Sequence, residues 1–261
     1  MNREMHKAMR LRFAPVFGLV SFFGVWEIYV RAAKIGSYKL VRPSAAFAEV
    51  WKGRATYWAN ALPTFRVAMF GFAIAMVVAF VVASLIAQSR TAERAVLPVA
   101  LLVVVTPLFA YAQAILIWIG LGVKSLVVMV AIVCFPPMLF AATTGLKSVD
   151  PAATELLRSV NASRWEIFRK LQVPTALPQL LSAAKLSAGL SLVGVTIGEP
   201  YAFGGDQGLG LLIRRTASAG NVAIPQLWGS IFVLGLIGSF AYLAISGIET
   251  VVRRWHSLDT Q

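Results

Sequence analysis

The sequence carries little charge and few residues of the kinds that perform acid–base or metal chemistry. Only 13% of its 261 residues are Asp, Glu, Lys or Arg, whereas about a quarter are charged in an average soluble domain. It has one cysteine, so an intrachain disulfide is excluded. Its two histidines, His6 and His256, lie in the tails, and the carboxylates Glu27, Glu199 and Glu249 are scattered. Because imidazole-based and metal-dependent catalysis need such groups clustered, we expect no catalytic, cofactor-binding or metal-binding residue.

Apolar residues dominate what remains. They make up 58% of the chain, and its mean hydropathy is +0.75. Six runs reach the roughly 20 residues that a helix needs to cross a bilayer. These runs are about 13–32, 64–88, 96–119, 125–146, 176–199 and 225–251. The pattern predicts an all-α, six-helix transmembrane bundle, with residues 1–12 as an N-terminal tail and 13–261 as a single membrane domain.

The excess of basic residues does not indicate nucleic-acid binding. The net charge is +13, yet Lys and Arg stand at the ends of the apolar runs and do not gather in one patch. Even numbers of spans put both tails on one side, and that side carries more Lys and Arg in its loops than the other. By the positive-inside rule we expect a multi-pass membrane protein, in contact with lipid and with both termini cytoplasmic.

The connection between the fourth and fifth runs, residues 150–175, contains residues that are typical of helix starts and helix ends. Asp150 and Pro151 form an N-cap and first-turn pair, and Asn161 is suited to the positive φ of a helix end. Between them, one helical face collects the apolar residues Ala153, Leu156, Leu157 and Val160. The sequence predicts a short amphipathic helix that ends near Asn161.

A second amphipathic helix is predicted directly afterwards. Ser163 and Glu166 have the spacing of a capping box and precede an apolar stripe. We expect Pro174 and Pro178 to end this helix and to start the fifth span. The apolar faces of both helices need a cover, which is either the protein's own surface, the lipid interface or a soluble partner.

The spacing in this loop resembles the cytoplasmic signature of the permease subunits of binding-protein-dependent ABC importers. That signature has E-A-A, three residues, G, nine residues, and I-x-L-P. Here Glu155-Leu156-Leu157 stands for E-A-A, Asn161 for the glycine, and Leu171-Gln172-Val173-Pro174 for I-x-L-P. Other stretches, such as "TPLFAYAQAILIWIGLGVKS" and "GEPYAFGGDQGLGLLI", also look like this family. They are most similar to its nitrate, sulfonate and taurine branch, whose relatives also handle thiamine-precursor pyrimidines and riboflavin.

The resemblance implies a type I importer permease fold without catalysis of its own, in the bacterial inner (plasma) membrane. Such permeases work in pairs, which we expect here to be two copies of this chain, with a cytoplasmic ATPase and an extracytoplasmic binding protein that delivers a small solute. The resemblance assigns ATPase docking to Glu155, Leu156, Leu157, Arg158, Asn161, Ala162 and Ser163. The Leu-Leu and Asn substitutions depart from the signature, although Asn keeps access to positive φ.

Four residues are candidates for the translocation path. Gln113 stands where close relatives more often have proline. Pro136 and Pro137 interrupt the fourth run, where they either line the path or make a packing kink. Glu199, at the outer end of the fifth run, is either a gate, a substrate contact or a solvated carboxylate. Lys185, in contrast, is expected to lie near a span end and to reach the interface.

A self-sufficient channel or secondary transporter is the main alternative function. Such proteins often contain internal repeats and intramembrane coupling charges, and the sequence shows neither. The segment 204–210 is glycine-rich but lacks the Gly-Lys-Ser/Thr ending of a phosphate-binding loop. We expect it to be a turn-rich outer segment, so that another chain must bind ATP.

Overall fold

The computed structural model describes residues 2–37, 39–202 and 207–258, with side chains from residue 16 to residue 252 apart from 221 and 222. The described residues form helices joined by short turns and contain no strand. In chain order the α-helices are α1 (Asn2–Ala32), α2 (Pro43–Lys52), α3 (Arg54–Gln88), α4 (Arg90–Val105), α5 (Leu108–Ile119), α6 (Val123–Lys147), α7 (Pro151–Ser159), α8 (Arg164–Ile167), α9 (Val173–Gly198), α10 (Leu209–Ser218) and α11 (Ile224–Leu258). The predicted all-α class is confirmed.

The chain divides into two compact units, of which the smaller comprises residues 1–58 and 212–233. In it, the Glu27 carboxylate of α1 accepts hydrogen bonds from Arg31 and from both the backbone N–H and the hydroxyl of Ser44, at 2.8–3.0 Å. An aromatic cluster that includes Trp26 and Trp228 packs beside this contact, with ring centroids 5.0 Å apart. Polar contacts such as this one and ring packing therefore stabilise this unit.

The larger unit comprises residues 59–211 and 234–261, and α6 forms its centre. Most of the buried residues of α6 face α9, and small residues let the two backbones approach. A Cβ added to Gly145 would lie 2.8 Å from the Cα of Ala176, so only glycine fits there. The single cysteine, Cys134, is buried in this contact, where its thiol donates to the Ser187 carbonyl at 3.3 Å.

Within the described residues, four helices are long and apolar enough to cross a membrane. They are Arg54–Gln88, Val123–Lys147, Arg164–Gly198 and Ile224–Val252. The first of them begins well before the predicted start at residue 64, because the helix continues through Pro63. The count rises to five if the bent pair α4 and α5 is taken as one span, so six spans remain a prediction.

The predicted third span, 96–119, is not one straight helix. It breaks between α4 and α5 with a bend of 105°. Thr106 is extended there, with φ −84° and ψ 124°, and Pro107 follows it. Proline disfavours helical geometry in the preceding residue and has no N–H to donate, so the helix stops at this point. The hydropathy of the run conceals the break because every residue around it is uncharged.

Candidate functional site

The helix that opens the loop 150–175 begins as its sequence predicts. Asp150 is the N-cap of α7, and its carboxylate accepts from the backbone N–H of Ala152 at 2.9 Å. Pro151 occupies the first helical turn, where a missing N–H costs nothing. A side-chain cap is worth about 1 kcal/mol, so the start of this short helix is fixed locally.

Asn161 ends α7 in a left-handed conformation, with φ 58°. Its own N–H donates to the Arg158 carbonyl at 2.9 Å, and the N–H of Ala162 donates to the Leu157 carbonyl at 3.0 Å. This pair of hydrogen bonds is a Schellman motif, which satisfies the last carbonyls of the helix. The expectation that Asn161 replaces a glycine at positive φ is confirmed.

The capping box that starts α8 is also confirmed. The Ser163 hydroxyl accepts from the Glu166 N–H at 3.2 Å, and the Glu166 carboxylate accepts from the Ser163 N–H at 2.9 Å. The turn between the two helices is therefore closed at both ends by hydrogen bonds.

The predicted end of this second helix at Pro174 is wrong. The chain continues from α8 through a π-helical turn, Phe168–Gln172, directly into α9. In this wider turn the N–H of Val173 donates to the Phe168 carbonyl, five residues back, which accommodates the proline that follows. The Thr175 hydroxyl donates to the Leu171 carbonyl at 2.7 Å. The neighbouring carbonyl, that of Lys170, receives no backbone hydrogen bond from Pro174, which has no N–H. The cluster of charged residues that begins at Arg164 ends at Lys170, so α8 and the π-helical turn form an extension of the fifth span beyond its apolar part.

The loop presents an apolar surface to its surroundings. Leu156 and Val160 are each 67% exposed, Trp165 is 66% exposed, and no residue of α7 is buried. Leu157 and Ala162 are half-buried, whereas the remaining predicted docking residues, Glu155, Arg158, Asn161 and Ser163, are exposed. We call Leu156, Val160 and Trp165 the docking surface, after the ATPase docking that the resemblance predicts for this loop. Three large apolar side chains held by fully capped turns are typical of an interaction site.

The candidate path residues do not come together in one place. Pro136 and Pro137 border a cavity of about 440 Å³ that also reaches Thr106, Pro107 and Tyr111. Gln113 is exposed on α5 and is not among the residues that line this cavity. Glu199 borders a second, smaller cavity of about 260 Å³, with Gly122 and Gln207.

Glu199 is buried and takes part in a hydrogen-bond cluster, which we call the outer clamp. The Thr64 hydroxyl of α3 donates to its carboxylate at 2.6 Å, and the Gly210 N–H of α10 donates at 2.6 Å. The Leu209 N–H donates in turn to the Thr64 oxygen at 2.9 Å. The carboxylate thus binds the positive end of the α10 dipole and joins α3, α9 and α10. Residues 204–206 of the predicted outer turn lie outside the described residues.

The outer clamp leaves no space for a side chain at residue 210. A Cβ there would lie 2.8 Å from the Thr196 Cα and against the Thr196 carbonyl oxygen, which are backbone atoms. We expect Gly210→Ala to lower the free energy of unfolding by about 1–3 kcal/mol, as overpacking does. The measurement is denaturant titration followed by tryptophan fluorescence. Gly247→Ala is the control, since nothing lies within 4 Å of that Cβ, and equal losses in the two variants would contradict the crowding.

One charged pair was not foreseen from the sequence. Lys185 of α9 forms an ion pair with Glu249 of α11, and the Ser182 hydroxyl donates to the same carboxylate at 2.9 Å. The side chains of Lys185 and Glu249 are only 17% and 7% exposed, so the expectation that Lys185 reaches the interface is wrong. In the sequence, Lys185 lies about midway between Lys170 and Glu199. This central position distinguishes it from a lysine at the end of a span.

Apolar helices of membrane-spanning length and a rigidly capped, exposed loop define a polytopic membrane protein of the all-α class. Residues 71–256 match the family model of the binding-protein-dependent transport system inner membrane component, and the chain belongs to this family. It is therefore a permease subunit of an ABC importer and not itself a catalytic subunit.

Three relatives with similar sequences are permeases. The formylaminopyrimidine transport permease protein ThiX of Halalkalibacterium halodurans is 26% identical, over 92% of this chain and 95% of its own length. The riboflavin transport system permease protein RibX of Chloroflexus aurantiacus is 27% identical, over 89% and 86%. The taurine transport system permease protein TauC of Escherichia coli is 26% identical, over 58% and 53%.

Solved structures of importers share the fold. An inward-facing structure of the MetNI methionine ABC transporter matches with a TM-score of 0.61 at 20% identity, covering 78% of this chain and 98% of that one. An amino acid ABC transporter matches with a TM-score of 0.60 at 17% identity, covering 80% and 97%. The expected type I permease fold is confirmed.

Proposed function

We propose that this permease transmits ATP hydrolysis to the membrane through the loop 150–175. One observation carries the proposal, which is the exposed docking surface. Leu156 and Val160 belong to α7 and its C-cap, and Trp165 lies on α8, which is continuous with the fifth span through the π-helical turn. A cytoplasmic ATPase that covers Leu156, Val160 and Trp165 pulls or pushes on α8, and α8 is rigidly joined to α9. Glu155, Leu157, Arg158, Asn161, Ala162 and Ser163 complete the contact and hold its shape.

The assembly that fits this role has three further members. An ATPase contacts each docking surface, a second copy of this chain completes the membrane pair, and an extracytoplasmic binding protein delivers the solute. The description of the family as binding-protein-dependent supports the last of these. The excess of Lys and Arg on the side of the tails supports cytoplasmic termini, which place the docking surface in the cytoplasm.

The cargo is a small solute of the kind that the relatives carry, namely a pyrimidine, a flavin or a sulfonate such as taurine. The path that we propose for it passes Pro136 and Pro137, with Gln113 and Glu199 as further contacts. These four positions offer few polar groups that could distinguish one solute from another. The binding protein therefore performs much of the solute selection.

Reconstitution in liposomes tests this function. The purified chain is inserted alone, or together with a candidate ATPase subunit and a candidate binding protein from the same genome, and uptake of labelled cytosine, riboflavin and taurine is measured. We expect uptake of at least one probe only when ATPase, ATP and binding protein are all present. Uptake by the chain alone would instead establish a self-sufficient channel or secondary transporter.

A further inference from the structure

The cavity beside Pro136 and Pro137 lies where two helices are interrupted by proline. Its volume is about 440 Å³, within the range of small-molecule sites. One wall is the break between α4 and α5, and the other is the double proline of α6, with α9 closing the side. The residues that line it include Val103, Thr106, Tyr111, Val133, Phe140 and Val193.

Both interruptions leave backbone carbonyls without their helical donors at this cavity. The carbonyl of Val103 would normally accept from residue 107, and that of Val133 from residue 137, but both of those residues are proline. Val103 and Val133 both line the cavity. The Tyr111 hydroxyl and the Thr106 oxygen add two further polar groups to otherwise apolar walls. The cavity is therefore mostly apolar, with a few hydrogen-bonding groups beside the two proline breaks.

The break between α4 and α5 cannot face lipid. The 16 residues of α4 rise by about 24 Å, less than the roughly 30 Å of the hydrocarbon layer, so the extended backbone at Thr106 lies within the membrane. Thr106 and Pro107 are exposed in the single chain. Irregular backbone at this depth is tolerated only against protein or water. This face therefore borders an aqueous path or the second copy.

The segments that form the cavity carry no unpaired charged residue that could balance the charge of an ionic solute. Between Arg94 and Lys124, and again between Lys124 and Lys147, the sequence contains no Asp, Glu, Lys or Arg. Lys185 is the one charged residue between Lys170 and Glu199, and Glu249 neutralises it. A sulfonate or a quaternary ammonium would therefore find no opposite charge on these segments, whereas an uncharged solute needs none.

We propose that this cavity is the solute-binding subsite of the path and that it takes an uncharged, ring-shaped solute with N–H donors. The ring lies against the walls of Val193 and Phe140, and its donors reach the acceptors beside Pro107 and Pro137. This inference rests on the proposed transport function, because it identifies which class of solute that function moves.

Cysteine protection tests the subsite directly. Val193→Cys places a thiol at the cavity wall, while the native Cys134 is buried. The full chain is held in lipid nanodiscs, and the rate of labelling by a small maleimide is followed with cytosine, taurine or glycine betaine as probe. We expect cytosine to slow labelling about tenfold when its concentration exceeds its Kd about tenfold, and the two charged probes to have no effect.

Two further variants keep the result interpretable. Leu156→Cys, on the exposed loop, should label at the same rate with every probe. Tyr111→Phe, combined with Val193→Cys, should raise the cytosine concentration for half protection about two- to tenfold, through loss of one hydrogen bond. Protection by taurine or glycine betaine, or by no probe, overturns the inference. Neither of these outcomes affects the liposome experiment, whose failure would be seen separately as uptake without the ATPase.

Discussion

Leu156→Glu is expected to weaken binding of the ATPase subunit at least about 30-fold, because loss of a hot-spot contact costs about 2 kcal/mol or more. Leu156 is 67% exposed on a helix without buried residues, so its apolar surface is free to be covered by the partner. A carboxylate at this position would have to be desolvated on docking. ATP-driven uptake in liposomes should fall with the affinity, which is measured with the purified ATPase.

Two controls separate docking from folding and from charge. Leu156→Met keeps an apolar side chain of similar volume and should bind normally. Thr154→Glu adds the same charge to the same helix, about 160° away around its axis, and should also bind normally. The chain itself should remain folded in all three variants, as judged by helical circular dichroism. Equal loss of binding for Leu156→Glu and Thr154→Glu would contradict the docking surface.

Lys185→Met is expected to lower the free energy of unfolding by about 3–5 kcal/mol, since it leaves an unpaired charge in the protein interior. The Glu249 side chain is only 7% exposed and would lose the ammonium group that balances its carboxylate. The pair also joins α11 to α9, and α9 is continuous with α8 of the loop 150–175. Titration with a denaturing detergent, followed by tryptophan fluorescence, measures the loss.

A second lysine offers a matched control. Lys170 pairs with Glu166 at 3.4 Å, but both side chains are largely exposed, so Lys170→Met should cost less than about 1 kcal/mol. The double variant Lys185→Met/Glu249→Leu should recover most of the lost stability, because it removes both buried charges at once. If Lys185→Met cost no more than Lys170→Met, the buried pair would have no structural importance.

The predictable part of the candidate site is the part made by neighbouring residues. The Asp150 cap, the left-handed Asn161 and the Ser163–Glu166 capping box each depend on hydrogen bonds that reach across two to five residues. The predicted helix end at Pro174 was wrong because a helical sequence accommodates a proline in two ways, by ending the helix or by forming a wider turn. The sequence does not select between them, and the contacts of α9 with α6 favour the continuous helix.

The sequence by itself determined that this is an all-α membrane protein, where its loop 150–175 begins and bends, and which apolar residues that loop carries. Each of these depends on composition, on helical periodicity or on caps within one turn. Only the tertiary structure decided that Glu199 closes an outer clamp with Thr64, 135 residues away, and that Glu249 binds Ser182, 67 residues away. It also placed the proline-interrupted segments of α4 and α6 beside one neutral cavity. The physical reason is that partners far apart in the chain meet only through helix packing, which no local pattern encodes.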